Sequence, residues 1–165
     1  LVHDVGKIGV SDSILLKPGR LTPAEFRQVK EHAALSAKIV QEVLMEDQVA
    51  WVAHHHERWD GAGYPDGLAG EEIPEGARLL ALADTWDAIT VERGYGMPMS
   101  LEDALAECRK NSGLQFWPEA VRALESLIKV GAITAPALRL TRKTDDESPT
   151  PRRRRTVGDE PQVVR

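Results

Sequence analysis

The sequence predicts an all-α domain, and three observations support this prediction. Apolar residues recur at helical spacing in several segments, and helix-capping signals open two of them. No segment shows the alternation typical of a half-buried strand. The chain has 165 residues, enough for one domain with a hydrophobic core. We expect that domain to cover residues 1–134. Residues 135–165 are expected to form a disordered charged tail, because they are rich in charge and proline.

Seven segments carry a helical pattern. They cover residues 1–7, 22–32, 35–44, 49–56, 79–89 and 101–110, with the last one beginning at 118. The start of the second segment is the clearest, because Thr22 and Glu25 form a capping box around Pro23, which suits the first helical position. Ser100 and Asp103 form a second capping pattern before the sixth segment. These signals place the helix boundaries more firmly than the apolar spacing does.

The remaining boundaries are set by loops. Residues 10–20 are predicted to form a loop with a short apolar patch, closed by a Pro-Gly turn. Asp47 is expected to cap the helix over residues 49–56. A glycine-rich loop then covers residues 58–76, and its glycines allow the backbone to approach a ligand closely.

Composition excludes several functional classes. The formal net charge of −5 argues against a general nucleic-acid binder, whose affinity comes from neutralising phosphates. The single cysteine, Cys108, cannot form an internal disulfide, which fits a reducing compartment, and we expect a cytoplasmic protein. No apolar run reaches the roughly 20 residues of a membrane helix. The chain starts at Leu1 without methionine, so we expect it to be part of a longer protein.

The histidines indicate a metal site. All five lie in the first 56 residues: His3, His32, His54, His55 and His56. Neutral imidazole is a common metal ligand, and Asp4 and Asp84 add carboxylates, the latter on an apolar helix where a charge is costly to bury. Such a mixed set suits Fe, Mn or Zn, and the lack of cysteine ligands argues against a structural zinc site. A carboxylate such as Asp4 can bridge two cations, and Lys7 would lie nearby.

Each of these residues also has an ordinary interpretation. His3 and Asp4 can be adjacent by chance, His32 can be a partly exposed residue, and Asp84 can bond to backbone N–H groups. Consecutive helical residues point about 100° apart, so three histidines in a row cannot all face one metal. We therefore expect two of them to ligate and one to pack. The ordinary interpretations are plausible one at a time but leave five histidines unexplained together.

Two motifs resemble a known family. Residues 3–9 resemble the HD motif of the HD-domain phosphohydrolases, and residues 55–65 resemble the signature of the HD-GYP subfamily. The resemblance covers residues 1–127. It implies an HD-domain-like helical bundle with a glycine-rich GYP loop. It also implies a metal-dependent phosphodiesterase that hydrolyses cyclic di-GMP to pGpG or GMP, with two or three divalent metal ions, commonly Fe or Mn.

The resemblance implies a role for each matching residue. The implied metal ligands are His3, Asp4, His32, His55, His56 and Asp84. Asp4 would bridge the metals, Lys7 would contact the scissile phosphate, and Arg93 would hold a substrate phosphate. The loop residues implied to meet substrate are Gly63, Tyr64 and Pro65. Proteins of this kind are also thought to meet GGDEF-type cyclases through that loop, and to carry an upstream sensor or receiver domain.

The sequence departs from the family pattern in three places. Family members usually carry a further helical segment with a histidine before the HD motif, which this chain is expected to lack. Gly94 and Gly96 flank Tyr95 where the family often has proline and a basic residue. Trp117 stands where the family often has aspartate, and we expect only local helix capping to change. The alternative function is a signalling module without turnover that binds the dinucleotide or a cyclase through residues 61–67. A phosphohydrolase for another nucleotide fits the Gly-Tyr-Pro signature less well.

Overall fold

The described part of the chain is built from helices. The computed structural model describes residues 2–91 and 97–134, and within these ranges it contains no strand, only a single bridge between Ser112 and Phe116. The two 3₁₀ helices are Val2–Gly9 and Gly70–Glu72, and the α-helices are α1 (Asp12–Leu15), α2 (Pro23–Val40), α3 (Glu46–Ala53), α4 (Glu75–Thr90), α5 (Leu101–Lys110) and α6 (Pro118–Lys129). The predicted all-α class is confirmed.

The capping signals mark real helix starts. The Thr22 hydroxyl accepts a hydrogen bond from the Glu25 N–H at 3.3 Å, and the Glu25 carboxylate accepts one from the Thr22 N–H at 2.6 Å. Ser100 caps α5 in the same way by accepting from the Asp103 N–H at 3.1 Å. Pro118 is the first residue of α6, where its missing N–H is not needed.

Three details of the predicted helices were wrong. Helix α2 runs without a break from 23 to 40, because residues 33–37 contain no glycine or proline that would interrupt it. Asp47 does not cap α3; Met45 precedes the helix, and its N–H donates to the Gln48 side chain at 3.1 Å. The expected loop over residues 10–20 contains the short helix α1, whose first turn is capped by the Ser11 hydroxyl.

The described residues form two hydrophobic clusters. One joins α4, α5 and α6 and consists of Leu82, Cys108, Phe116, Ala120, Val121 and Leu124. The other joins α1 and the start of α2 and consists of Val10, Ile14, Leu21 and Val29. The first 3₁₀ helix packs on α2, α2 packs on α3, and α3 packs on α4. This chain of contacts brings polar residues from distant parts of the sequence together.

The contact between the first 3₁₀ helix and α2 is unusually close. A Cβ atom on Gly6 would lie 2.2 Å from the His32 carbonyl oxygen and 2.5 Å from the Ser36 amide nitrogen. The Gly6 N–H donates to the Ser36 hydroxyl at 2.8 Å and fixes the two segments together. Only glycine permits this approach, which carries His3 and Asp4 to the side of His32.

Some predictions concern residues outside the described ranges. The expected disordered tail over residues 135–165 and the phosphate-binding role of Arg93 both fall there. The boundary at residue 134 therefore stays a prediction. Within the described ranges, no helix has both the length and the apolar character that a membrane crossing requires.

Candidate metal centre

The carboxylate of Asp4 lies in the middle of a group of imidazoles. Its Oδ1 atom lies 3.3 Å from Nε2 of His32 and 3.9 Å from Nε2 of His55. Its Oδ2 atom lies 3.5 Å from Nε2 of His3 and 2.6 Å from Nζ of Lys7. The two oxygens of one side chain therefore face two different sets of neighbours.

The rings of His32 and His55 are held by the backbone one turn earlier. Nδ1 of His32 lies 2.6 Å from the carbonyl oxygen of Val29, and Nδ1 of His55 lies 2.6 Å from that of Val52. Each Nδ1 therefore donates its proton to a carbonyl and leaves the Nε2 lone pair directed at Asp4. The Nε2 atom of His56 completes this set, 3.2 Å from Nε2 of His32.

A second set of donors lies on the other side of Asp4. Nε2 of His3 is 3.6 Å from Oδ1 of Asp84, which projects from the middle of α4. His3, Asp4 and Asp84 thus form one group, and Asp4 also belongs to the group with His32, His55 and His56. Within each group the ligand atoms all lie within 4.8 Å of one another. The structure brings all six sequence-predicted ligands together.

These groups fit divalent metal ions. Three buried atoms at the centre, Nε2 of His3, Oδ1 of Asp4 and Nε2 of His55, have no hydrogen-bond partner of normal geometry. Buried polar atoms without partners are costly, and cations bound at the two groups would satisfy all three atoms. Imidazole nitrogens with carboxylate oxygens suit Zn, Fe and Mn. The residues could hold two ions that share Asp4.

The histidines of the centre differ in their pKa values. Burial lowers the pKa of His55 to about 4 and lowers that of His56 well below its ordinary value, so both rings are neutral at pH 7. The neighbouring carboxylates of Asp4 and Asp84 raise the pKa of His3 to about 9. Burial acts to raise the pKa of Asp4, but His3 and Lys7 beside it outweigh burial and hold that pKa well below its usual range. A metal ion bound at His3 would displace a proton.

The three consecutive histidines face two different groups of side chains, and the expectation that two ligate and one packs stays a prediction. Helix α3 ends at Ala53, so the three follow it in a turn rather than in the helix itself. His55 and His56 face Asp4, whereas Nδ1 of His54 lies 3.7 Å from the carboxylates of both Glu57 and Asp66. Because the backbone changes direction in this turn, the side chains of His55 and His56 can both point into one centre.

The GYP loop lies against the centre. The Tyr64 ring stacks on His56 with centroids 4.8 Å apart and an angle of 23° between the planes. A pocket of ≈ 80 Å³ is lined by Phe26, Gly63 and Tyr64 together with His56. A second pocket of ≈ 70 Å³ is lined by His55, His56, Glu57, Arg58, Ala81, Asp84, Thr85 and Gln115. Pro65 lines neither pocket.

Sequence reasoning missed the residue that holds this loop. Glu57 is buried, and its Oε1 atom accepts hydrogen bonds from the N–H groups of Asp66 at 2.8 Å and Gly67 at 3.1 Å. Gly63 passes so close to this residue that a Cβ would lie 2.5 Å from the Glu57 Cα. A charged residue directly after a histidine run and before a glycine-rich loop was the available signal.

Trp117 does more than change helix capping, so that expectation was too narrow. It precedes α6 without forming a side-chain cap. The Arg78 guanidinium carbon lies 4.5 Å from the Trp117 ring centroid and 5.9 Å from that of Trp59. Cation–π contacts of this kind join α4, the GYP loop and the start of α6.

Comparison with known proteins agrees with this geometry. The sequence model of the HD domain family matches residues 1–120. The chain belongs to the HD domain family. The resemblance to the HD-GYP proteins is confirmed by this match together with the relatives described next.

This HD domain is similar to curated proteins named as phosphodiesterases. It is 43% identical over 131 residues to a cyclic di-GMP phosphodiesterase of Thermotoga maritima, which covers 78% of this chain and 36% of the relative. It is 40% identical over 131 residues to 3′3′-cGAMP-specific phosphodiesterase 3 of Vibrio cholerae, which covers 79% of this chain and 28% of the relative. The chain therefore spans about a third of the length of such relatives.

A solved structure shows the same fold. The crystal structure of a cyclic GMP-AMP specific phosphodiesterase of Vibrio cholerae aligns with this HD domain at a TM-score of 0.55 and 24% identity. The alignment covers 78% of this chain and 36% of the other. The helical architecture is thus shared with this solved structure.

Proposed function

We propose that this HD domain is the catalytic part of a metal-dependent phosphodiesterase that hydrolyses cyclic di-GMP to pGpG, GMP or both. The position of the Asp4 carboxylate between two donor sets carries this proposal. Family membership and the relatives named as cyclic di-GMP phosphodiesterases support it.

The proposed cofactors are two or three divalent metal ions, most readily Fe or Mn. The proposed ligands are His3, Asp4, His32, His55, His56 and Asp84. Imidazole and carboxylate donors without a thiolate favour these metals. When bound, such ions supply Lewis acidity toward phosphoryl oxygens and make water a stronger nucleophile at neutral pH.

The chain's own residues have separate proposed tasks. Asp4 fixes the positions of both donor sets because each of its oxygens faces one of them. Lys7 lies at the edge of the centre, and its ammonium group would hold a phosphate oxygen and stabilise the charge that develops there. Val29 and Val52 keep the imidazoles of His32 and His55 oriented through their carbonyl oxygens.

The loop pocket is the proposed place for part of the dinucleotide. Phe26 and Tyr64 give it aromatic walls, and Gly63 also lines it. A purine can stack on such aromatic side chains. Pro65 and Arg93 are proposed as further substrate contacts on the strength of the family resemblance alone. The loop is also the proposed docking surface for a GGDEF-domain protein.

The cellular setting is also a proposal. A cyclic dinucleotide is a signalling molecule of the bacterial cytoplasm, so the HD domain is proposed to work there. An upstream sensor or receiver domain is proposed to control it in the full-length protein.

The proposal is tested with protein purified without chelator. Bound metal is counted by elemental analysis, and cleavage of cyclic di-GMP and of 3′3′-cGAMP is followed by chromatography. We expect bound Fe or Mn, faster cleavage of cyclic di-GMP, and loss of cleavage on treatment with chelator. Faster cleavage of 3′3′-cGAMP would overturn the substrate assignment. Tight binding of cyclic di-GMP without cleavage, in protein loaded with metal, would favour the module without turnover.

A further inference from the structure

A third group of ligand-type side chains lies beside the centre but shares no residue with it. Nδ1 of His54 lies 3.7 Å from Oε1 of Glu57 and 3.7 Å from Oδ2 of Asp66. All three residues offer ligand atoms within 4.8 Å of one another. Because the proposed function uses none of these side chains, the group needs its own explanation.

Two atoms of this group are buried without hydrogen-bond partners. They are Nδ1 of His54 and Oε2 of Glu57. The Glu57 side chain is 0% exposed, and only its other oxygen accepts the N–H groups of Asp66 and Gly67. Burying a carboxylate oxygen with no donor is costly, and a cation bound to the Glu57 carboxylate would lower that cost.

We propose that His54, Glu57 and Asp66 bind a further divalent metal ion, with Zn²⁺ as the best match. One imidazole and two carboxylates form a three-ligand set that leaves a position for water. Zinc bonds of about 2.0–2.1 Å place neighbouring ligand atoms roughly 3.3 Å apart, so the two distances of 3.7 Å from Nδ1 of His54 need only a small contraction. The ligand atoms of Asp66 and Glu57 lie within 4.8 Å of each other, and the Asp66 side chain, which is 61% exposed, can rotate to shorten that distance.

A metal ion at this site would affect the GYP loop. Asp66 lies two residues after Tyr64, which stacks on His56. Glu57 already holds the backbone of Asp66 and Gly67 through hydrogen bonds. An ion bound at the same point would join the turn after α3 to the end of the GYP loop and restrict its opening. The site would therefore regulate access to the pocket formed by Phe26, Gly63 and Tyr64.

Zinc stoichiometry tests the site directly. The full chain is dialysed to equilibrium against Zn²⁺, and bound metal is measured in wild type, in Asp66→Asn and in the control Glu71→Gln. Glu71 is an exposed carboxylate of the same loop region, so the control removes the same charge outside the group. We expect Asp66→Asn to bind one equivalent fewer than wild type and Glu71→Gln to match wild type. Equal stoichiometry in wild type and Asp66→Asn would overturn the proposal.

Hydrogen exchange at two amides tests whether zinc acts at this site or on the fold in general. Hydrogen exchange of the Asp66 and Gly67 amides is expected to slow on addition of Zn²⁺ in wild type and not in Asp66→Asn. Unchanged exchange in wild type overturns the proposal. Circular dichroism melting checks that both variants fold. Neither readout needs turnover, so the site can be present in a protein that fails the phosphodiesterase assay, and the two failures are distinguishable.

Discussion

Nδ1 of His32 lies 2.6 Å from the carbonyl oxygen of Val29, one helical turn earlier in the same helix. This hydrogen bond fixes the ring so that its other nitrogen points at the Asp4 carboxylate, 3.3 Å away. His55 repeats the arrangement with Val52. The centre is therefore preorganised by backbone geometry, because the orientation of both rings follows from the segments that carry them.

Asp4→Asn is expected to remove bound metal and phosphodiester cleavage together. The amide keeps the size of the side chain but loses the charge that both donor sets share. Turnover should fall by more than about 100-fold, since loss of an outer hydrogen-bond partner alone typically costs 10–100-fold in metal affinity or activity. Elemental analysis and the cleavage assay measure the two effects on the same sample.

The control for this change is Asp12→Asn, which alters an exposed aspartate in α1. It should keep both metal and activity. Full metal content and normal cleavage in Asp4→Asn would refute the proposed role of Asp4 as a shared ligand.

Lys7→Ala is expected to keep the metal while lowering turnover. Lys7 contributes charge at 2.6 Å from Asp4 but no ligand atom to either donor set. Loss of a charge-stabilising donor typically lowers kcat about 10²–10³-fold. The exposed Lys38 of α2 provides the control variant Lys38→Ala. Unchanged kcat in Lys7→Ala would remove this residue from the proposed mechanism.

Arg78→Lys is expected to destabilise the fold by about 0.5–2 kcal/mol. The planar guanidinium lies 4.5 Å from the Trp117 ring centroid, and an ammonium group cannot stack in the same way. The free energy of unfolding is measured by denaturant titration. Arg27→Lys, at an exposed position of α2, is the control and should change it little. A loss no larger than that of the control would show that the contact contributes nothing measurable.

The capping box should give a pH-dependent contribution to stability. Hydrogen bonds from Lys17 and Thr22 lower the pKa of Glu25 from an ordinary value of 4.5 to about 2. Because the folded pKa is the lower one, the stabilisation is fully present above pH 4.5 and is lost as the pH falls toward 2. Glu25→Gln should thus be less stable than wild type at pH 6, and the difference should shrink between pH 4.5 and 2. Denaturant titrations across this range measure it, and a difference independent of pH would contradict the pairing.

Helix starts were predictable because they depend on a few neighbouring residues. Thr22 with Glu25, Ser100 with Asp103, and Pro118 each satisfy or avoid backbone N–H groups within one turn. The end of α3 at Ala53 was not predictable in the same way. It depends on packing against the first 3₁₀ helix and α4, which local signals do not encode.

The sequence by itself determined the chemical type of the site, because imidazoles and carboxylates at these spacings have few other uses. It also determined which loop would border the site, since the glycines that permit a close backbone approach can be identified in the sequence. Only the tertiary structure decided which histidine turns away: His54 faces Glu57 and Asp66, whereas His55 and His56 face Asp4. The physical reason is that side-chain direction in a turn depends on backbone angles, and the turn follows α3, whose position is fixed by long-range contacts with α2 and α4.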